Sequence, residues 1–481
     1  MDPDMQNVEP ILSHIDTHRP DLIELSDTVW GMPETLYAEY ESCAQHTAVL
    51  KAKGFAVTEE VAGIPTAVMG EAGEGGPVIA ILGEYDALPG LSQVANIAEP
   101  RPLVAGGAGH GCGHNLLGSA ALLAACALKN WLAATGTPGR VRYYGCPAEE
   151  GGAAKAFMVR DGAFADVDAA ITWHPATHTK VDDAQSLANT RIDFTFTGRS
   201  SHAAAAPHLG RSALDAVELM NVGIQYMREH MPSSARIHYA YLDAGGTAPN
   251  VVQGQAKIRY TVRATDLPGM MALIERVKKV AEGAALMTET TVQPQVISAV
   301  SNLLGNTPLE DALHDVMDGL GGVAFDDADR AYAAQIQATL SPEDIEASCR
   351  RFCVEVRDGQ PLCDFVVPHD LKGDGMMGST DVADVSWAVP TVQARVATHA
   401  IGTPGHSWQI TAQGKAPAAH KGMTYAGAAL GALARKLFTD EVLLARAKKD
   451  HQDRLAKQPY TCPIPTDVQP PLQPRPTVAA E

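Results

Sequence analysis

Short apolar runs that stop at a glycine or a charged residue recur along the first part of the chain. VIAIL ends at Gly83 in PVIAILGEYDALPG (77–90), the pattern of a buried strand followed by a loop. GRVRYYGCPAEEGG (139–152) has the same shape and ends in a carboxylate pair, and DAAITWHPA (168–176) ends in a histidine. Helical spacing marks residues 4–53, NLLGSAALLAACALKNWLAA (115–134) and AAKAFMVRDG (153–162). Strands alternating with helices predict an α/β sheet. In such sheets ligands gather beyond the carboxyl ends of the strands, which is where the polar residues of these segments fall.

A different pattern begins near residue 188. TRIDFTFTG (190–198) alternates with period two, and a helix follows at 211–227. Then come strands at 235–246 and 255–266, a helix at 267–286 and a strand at 288–298. The order βαββαβ predicts a split, ferredoxin-like unit inserted into the first domain. Residues 300–390 carry helical and acidic stretches, HKGMTYAGAALGALARKLF (420–438) reads as an amphipathic helix, and the chain after 458 is proline-rich. The expected organisation is a first part of the main domain at 1–187, the insertion at 188–300, a second part at 301–450 and a tail at 451–481.

Composition narrows the class. Of the 481 residues, 46% are apolar and 19% charged, enough for a buried core. The net charge of −19 repels phosphate backbones and anionic lipid, which argues against nucleic-acid or membrane partners. It does not exclude an anionic small molecule, because a pocket can be basic on an acidic protein. The eight cysteines are scattered and suit a reducing compartment. The first residues show no secretory pattern, and the apolar stretch at 120–134 is too short to span a bilayer. A cytoplasmic location is the expectation.

Four segments carry candidate chemistry. In GAGHGCGHNLLG (107–118), Cys112 and His114 stand two apart at the start of a helix, where a thiolate and an imidazole can face one metal. Glu149 and Glu150 close a strand. Neighbours on an extended chain point apart, so one carboxylate can bind metal while the other moves a proton. His174 ends a third strand, and His406 lies in the loop GTPGHSWQ. Singly, each has a plain structural reading: a glycine-rich loop, a solvated acidic turn, a core histidine, a surface histidine. Joined at one sheet, they suffice for two zinc ions sharing one bridging ligand. Cys349 and Cys353 fit one helix face, but without nearby histidines they read as two half-buried thiols.

The chain also resembles a known family. GEYDALPG (83–90), GHGCGHN (109–115), PAEEGG (147–152), WHP (173–175), GRSSHAAAAPHLGRSALDA (198–216), APNVVQGQAKIRYTVRATD (248–266) and HSWQIT (406–411) resemble, in order, the two-zinc aminoacylase and carboxypeptidase metallopeptidases in their amidohydrolase branch. GSTDVADVSW (378–387) and QPYTCPIPTD (458–467) most resemble the B-subunit type of the aminobenzoyl-glutamate hydrolases.

The resemblance implies a zinc-peptidase-like α/β catalytic domain, its mixed sheet flanked by helices, with an inserted ferredoxin-like dimerisation or lid domain. It implies two divalent metal ions, zinc or manganese. Cys112 would bridge them, His114 and His174 would complete one site, and Glu150 with His406 the other. Glu149 would be the general base, and His202 would act across a dimer to stabilise the oxyanion. Asn250 and Arg263 would hold the substrate's carboxylate. Many relatives place a zinc-binding histidine where this chain has Glu84, so Asp86 is expected to orient a ligand and not to bind metal; Asn115 stands where relatives often have Asp. Read as residues alone, His202 could cap the following helix and Arg263 could pair with an acidic group.

The implied activity is hydrolysis of N-acyl amino acids, p-aminobenzoyl-glutamate foremost, with indole-acetyl-aspartate or another N-acyl amino acid as the alternative and a dipeptidase behind them. A homodimer is expected, or a hetero-oligomer with a related subunit. From a different class, the chain could be a catalytically silent partner of such a subunit.

Overall fold

The computed structural model describes residues 5–373 and 378–475; the last six residues of the expected tail lie outside them. The strands are β1 (Ala56–Glu59), β2 (Val68–Glu74), β3 (Val78–Glu84), β4 (Gly139–Cys146), β5 (Ala169–Ala176), β6 (Lys180–Val181), β7 (Ala188–Thr197), β8 (Arg236–Asp243), β9 (Gln255–Ala264), β10 (Thr291–Val300) and β11 (Thr391–Ala397). Seven of them form one mixed sheet in the order β1-β2-β4-β3-β5-β11-β6. Its centre, β4, β3, β5 and β11, is parallel, while β1, β2 and β6 join antiparallel.

All seven residues of β3 are buried, as a central strand covered on both faces requires. One covering layer is the helix His114–Thr135, with Met5–Trp30 and Pro417–Thr439 packed beside it through Ile11, Leu22, Leu123 and Leu430. His114–Thr135 is long and apolar enough to cross a membrane, exceeding the stretch read from the sequence, but it is mostly buried in this core. Gly118 permits the close packing, because a β-carbon there would stand 2.5 Å from the backbone oxygen of Glu84. The first turn of the helix is thereby pressed against the end of β3.

The second sheet runs β10-β7-β9-β8, antiparallel throughout. Burial alternates along β9, and its inner face packs on the helices Ala213–Arg228 and Leu267–Thr288. Ser212 and Asp266 cap those helices by accepting from the amides of Asp215 and Gly269.

Residues 301–390 fold into the helices Thr307–Leu320, Asp327–Gln337, Pro342–Arg351 and Val382–Ala388. Asp326 and Ser341 each open a helix with a capping box. The helix Glu441–Lys457 runs past residue 450, where the tail was expected to begin. Beyond it the proline-rich segment is strapped down: Tyr460 donates to Asp384, Ile464 is buried, and the carbonyls of Val468 and Gln473 accept from Arg160 and Tyr40.

Candidate metal centre

The carboxyl ends of the parallel strands converge on one cavity of about 600 Å³. Cys112 comes from the turn before the helix His114–Thr135, Glu149 and Glu150 from the turn after β4, His174 from β5, and His406 from the loop after β11. The sulfur of Cys112 lies 3.3 Å from Nε2 of His174. Nε2 of His406 lies 3.3 Å from Oε2 of Glu150. The ligand atoms of Cys112, His114 and His174 all fall within 4.8 Å of one another, as do those of Cys112, Glu150 and His406. Cys112 is common to both groups.

Local hydrogen bonds fix how each ligand is presented. Nδ1 of His174 donates to the Pro175 carbonyl at 2.7 Å, which leaves Nε2 with its lone pair toward Cys112. Nδ1 of His114 donates to Oδ1 of Asp86 at 2.8 Å, while the other oxygen of Asp86 accepts the Glu150 amide at 2.9 Å. His406 holds a left-handed backbone conformation, φ +54°, uncommon for a residue with a side chain and frequent where function fixes an orientation.

The residues fit divalent metal. Nε2 of His114 and Oε1 of Glu150 are buried with no hydrogen-bond partner, a cost that an ion in each group would remove. Hydrogen bonds to Cys112 and Glu150 push the His406 pKa up to about 10, so the position draws positive charge. Thiolate, imidazole and carboxylate in two sets sharing a sulfur suit a pair of such ions.

Glu149 faces the same cavity. Burial, and then the charges of Glu84, Glu150 and Asp381, hold its carboxyl well above the usual carboxylate range. Behind it lies a buried charge network that the sequence reading did not assign. Nζ of Lys155 sits 2.6 Å from Oε1 of Glu84 and 2.7 Å from Oδ1 of Asp381, and Oε2 of Glu84 lies 3.3 Å from Nε2 of His114. The available signal was a lone lysine inside the apolar run AAKAFM (153–158).

The inserted unit contributes Asn189, Arg191 and Arg263 to the cavity wall. Arg191 donates to the Gly151 carbonyl at 2.9 Å, and Nε of Arg263 is buried without a partner. His202 and Asn250 do not reach the cavity of their own chain. They meet each other in an exposed loop pair, where the Ala203 amide donates to the Asn250 carbonyl and His202 bridges to Val251. That pair sits beyond the Gln255 end of β9, whereas Arg263 is near the other end, roughly 26 Å away at the ordinary strand rise. Of the paired thiols, Cys349 is buried and Cys353 exposed.

Residues 80–410 match the model of peptidase family M20/M25/M40. The chain is 44% identical over 467 residues to one subunit of the p-aminobenzoyl-glutamate hydrolase of Escherichia coli (strain K12), covering 95% of this chain and 97% of that one. Its fold is similar to that of an aminobenzoyl-glutamate utilization protein from Klebsiella pneumoniae (TM-score 0.59, 17% identity, 88% of this chain and 97% of that one). It is also similar to YXEP of Bacillus subtilis, a dinuclear metal-binding peptidase of the M20 family (TM-score 0.55, 18% identity, 88% and 99%). Matched over most of its length, the chain belongs to peptidase family M20/M25/M40 and is a metal-dependent hydrolase.

Proposed function

We propose that the chain hydrolyses the amide bond of N-acyl amino acids that keep a free carboxylate, with p-aminobenzoyl-glutamate as the leading substrate. The carrying observation is the convergence of Cys112, Glu150, His174 and His406 on one cavity, with His114 buried within reach of Cys112 and His174, beside a carboxyl, Glu149, held above its ordinary pKa. Identity of 44% to a p-aminobenzoyl-glutamate hydrolase component supports the acyl group.

Cys112 would be shared by two ions, His114 and His174 would complete one site, and Glu150 and His406 the other. Zinc is the better match to the thiolate and imidazoles, with manganese the alternative. When bound, such ions polarise the amide carbonyl and acidify water. Glu149 accepts the proton of the attacking water on its carboxylate and returns it to the leaving nitrogen. Arg263 holds the free carboxylate with its planar fork. His202 and Asn250, remote from the cavity of their own chain, act from a second subunit, His202 by donating to the developing oxyanion.

The exposed edge strand β8, carrying Tyr239, Tyr241 and Leu242, supports pairing through the inserted unit. The partner is a second copy or a related subunit; the E. coli relative is named as one subunit of a hydrolase. Eight free cysteines support a cytoplasmic setting.

The test is release of glutamate from p-aminobenzoyl-glutamate by metal-loaded protein, wild type against Glu149→Gln. Turnover by the wild type and its loss in the variant is expected. Full activity of the variant would remove Glu149 from its role, and absence of glutamate from the wild type would remove the substrate.

A further inference from the structure

The cavity has a second cationic wall, built by the region between 301 and 390 together with β11. The helix Pro342–Arg351 lies along it and turns Ser348 and Arg351 into the space that Cys112 and His174 also face. Ser348 is held to the sheet by its hydroxyl, 2.9 Å from that of Thr177 just after β5. Arg351 is within electrostatic reach of the ligands. Burial and then the charge of Arg395 lower the pKa of Arg351, while the charges of Asp182 and Cys112 act the other way.

The two arginines of this wall differ in what they are free to do. Arg395 lies 3.1 and 3.2 Å from the oxygens of Asp182, which also accepts from Gln393. Arg351 forms no salt bridge among the described residues, and Asp182, whose charge reaches it, is already bound by Arg395. Asp344, two turns earlier on the same helix, is engaged by the amide and hydroxyl of Ser341 at 2.9 and 2.8 Å. A positive charge does suit a helix C-terminus, but exposed Arg350 beside it supplies that from outside the cavity.

On the opposite wall, from β7 and β9, Arg191 is engaged by the Gly151 carbonyl, which leaves Arg263, whose Nε has no hydrogen-bond partner. One guanidinium suffices for a substrate with one carboxylate. Two on separate elements around one set of ligands match a substrate with two.

We propose that Arg351 is a specificity-determining residue that receives a second carboxylate, so that the site prefers dianionic N-acyl amino acids over monoanionic ones. This rests on the reading that the chain hydrolyses N-acyl amino acids. The planar fork forms paired charge-assisted bonds with a carboxylate and loses them when the carboxylate becomes an amide. The second carboxylate comes from either the side chain of an acidic amino acid or a dicarboxylic acyl group.

Both sources are separable with metal-loaded wild type, Arg351→Gln and Arg351→Lys, assayed for kcat/KM on N-benzoyl-glutamate, N-benzoyl-glutamine, N-succinyl-alanine and N-acetyl-alanine. The wild type is expected to favour one dianionic compound over its monoanionic counterpart. Arg351→Gln should shrink that ratio by roughly 10- to 100-fold, mostly through KM, and Arg351→Lys should restore part of it. A collapsing glutamate-to-glutamine ratio assigns the carboxylate to the amino acid; a collapsing succinyl-to-acetyl ratio assigns it to the acyl group. Because each ratio is internal to one variant, lost folded protein does not mimic the effect. Ratios unchanged in Arg351→Gln, or no dianion preference in an active wild type, overturn the inference. A wild type that hydrolyses none of the four overturns the underlying reading instead.

Discussion

The carboxylate of Asp86 stands 2.8 Å from Nδ1 of His114, and its second oxygen accepts the amide of Glu150. One buried side chain thus orients a ligand of each proposed ion site. Asp86→Ala should weaken metal binding about 10- to 100-fold, in keeping with the loss of an orienting partner. Titration of metal-free protein with zinc against a chelator of known affinity measures it. Unchanged affinity would mean that His114 and Glu150 hold their positions without Asp86.

Lys155 is the cation between two buried carboxylates, Glu84 and Asp381. Removing a charge from a buried network leaves its partners unneutralised, which costs about 3–5 kcal/mol. Lys155→Met should lower unfolding stability by that order, and adding Asp381→Asn should recover part of the loss. Denaturant titration of the single and double variants checks this. A double variant as unstable as the sum of the singles would show the groups to be uncoupled.

His46 is buried between Tyr85 and Tyr143, with Nδ1 2.8 Å from the Tyr143 hydroxyl. Burial pushes its pKa down to about 3, and burial followed by the charge of His399 does the same for His178. In the unfolded chain both take a proton near 6.5. Between about pH 6.5 and 3 the unfolded state therefore binds more protons, and stability falls as pH is lowered through that window. At pH 5 each histidine costs roughly 2 kcal/mol. The stability gap between wild type and His46→Gln should narrow by that amount from pH 7.5 to 5, read by denaturant titration. A constant gap would mean that His46 titrates normally in the folded protein.

What could be read along the chain was set by whether burial and chemistry shared a segment. β3, β4 and β5 are near-continuous apolar runs that end on reactive residues, so strand and site appear together at Glu149, Glu150 and His174. β11 is equally buried but spells TVQARVA, where Gln393 and Arg395 break the run because their partner, Asp182, is distant in sequence. The edge strands β1 and β6 and their neighbour β2 gave no apolar run either. Glu84 was visible as a departure from the family pattern, but Lys155 becomes its partner only when the helix Ala154–Arg160 packs beneath β3. Arg351 lies in a stretch that reads as helical and acidic, and only packing turns it toward the cavity. The separation of His202 from Arg263 follows from the length of β9, a distance that motif order does not contain.

His202 and Asn250 sit at the far end of the inserted unit, which makes sharing between subunits testable. On the proposed roles, chains carrying His202→Ala should be inactive for want of one group, and those carrying Glu149→Gln for want of another. After random mixing and confirmed subunit exchange, half the dimers hold one complete site, so activity should recover to about a quarter of wild type. No recovery in a verified mixed dimer would place His202 outside the active site of its partner.

On the proposed reading, side chains from distant segments hold a pair of divalent ions around Cys112. Metal content of protein reconstituted with zinc and freed of excess, measured by atomic emission for wild type and Cys112→Ala, tests it most directly. Two ions per chain are expected in the wild type and a marked loss of both in the variant, whose shared ligand is gone. Two ions retained by Cys112→Ala, or none held by a folded wild type, would contradict it.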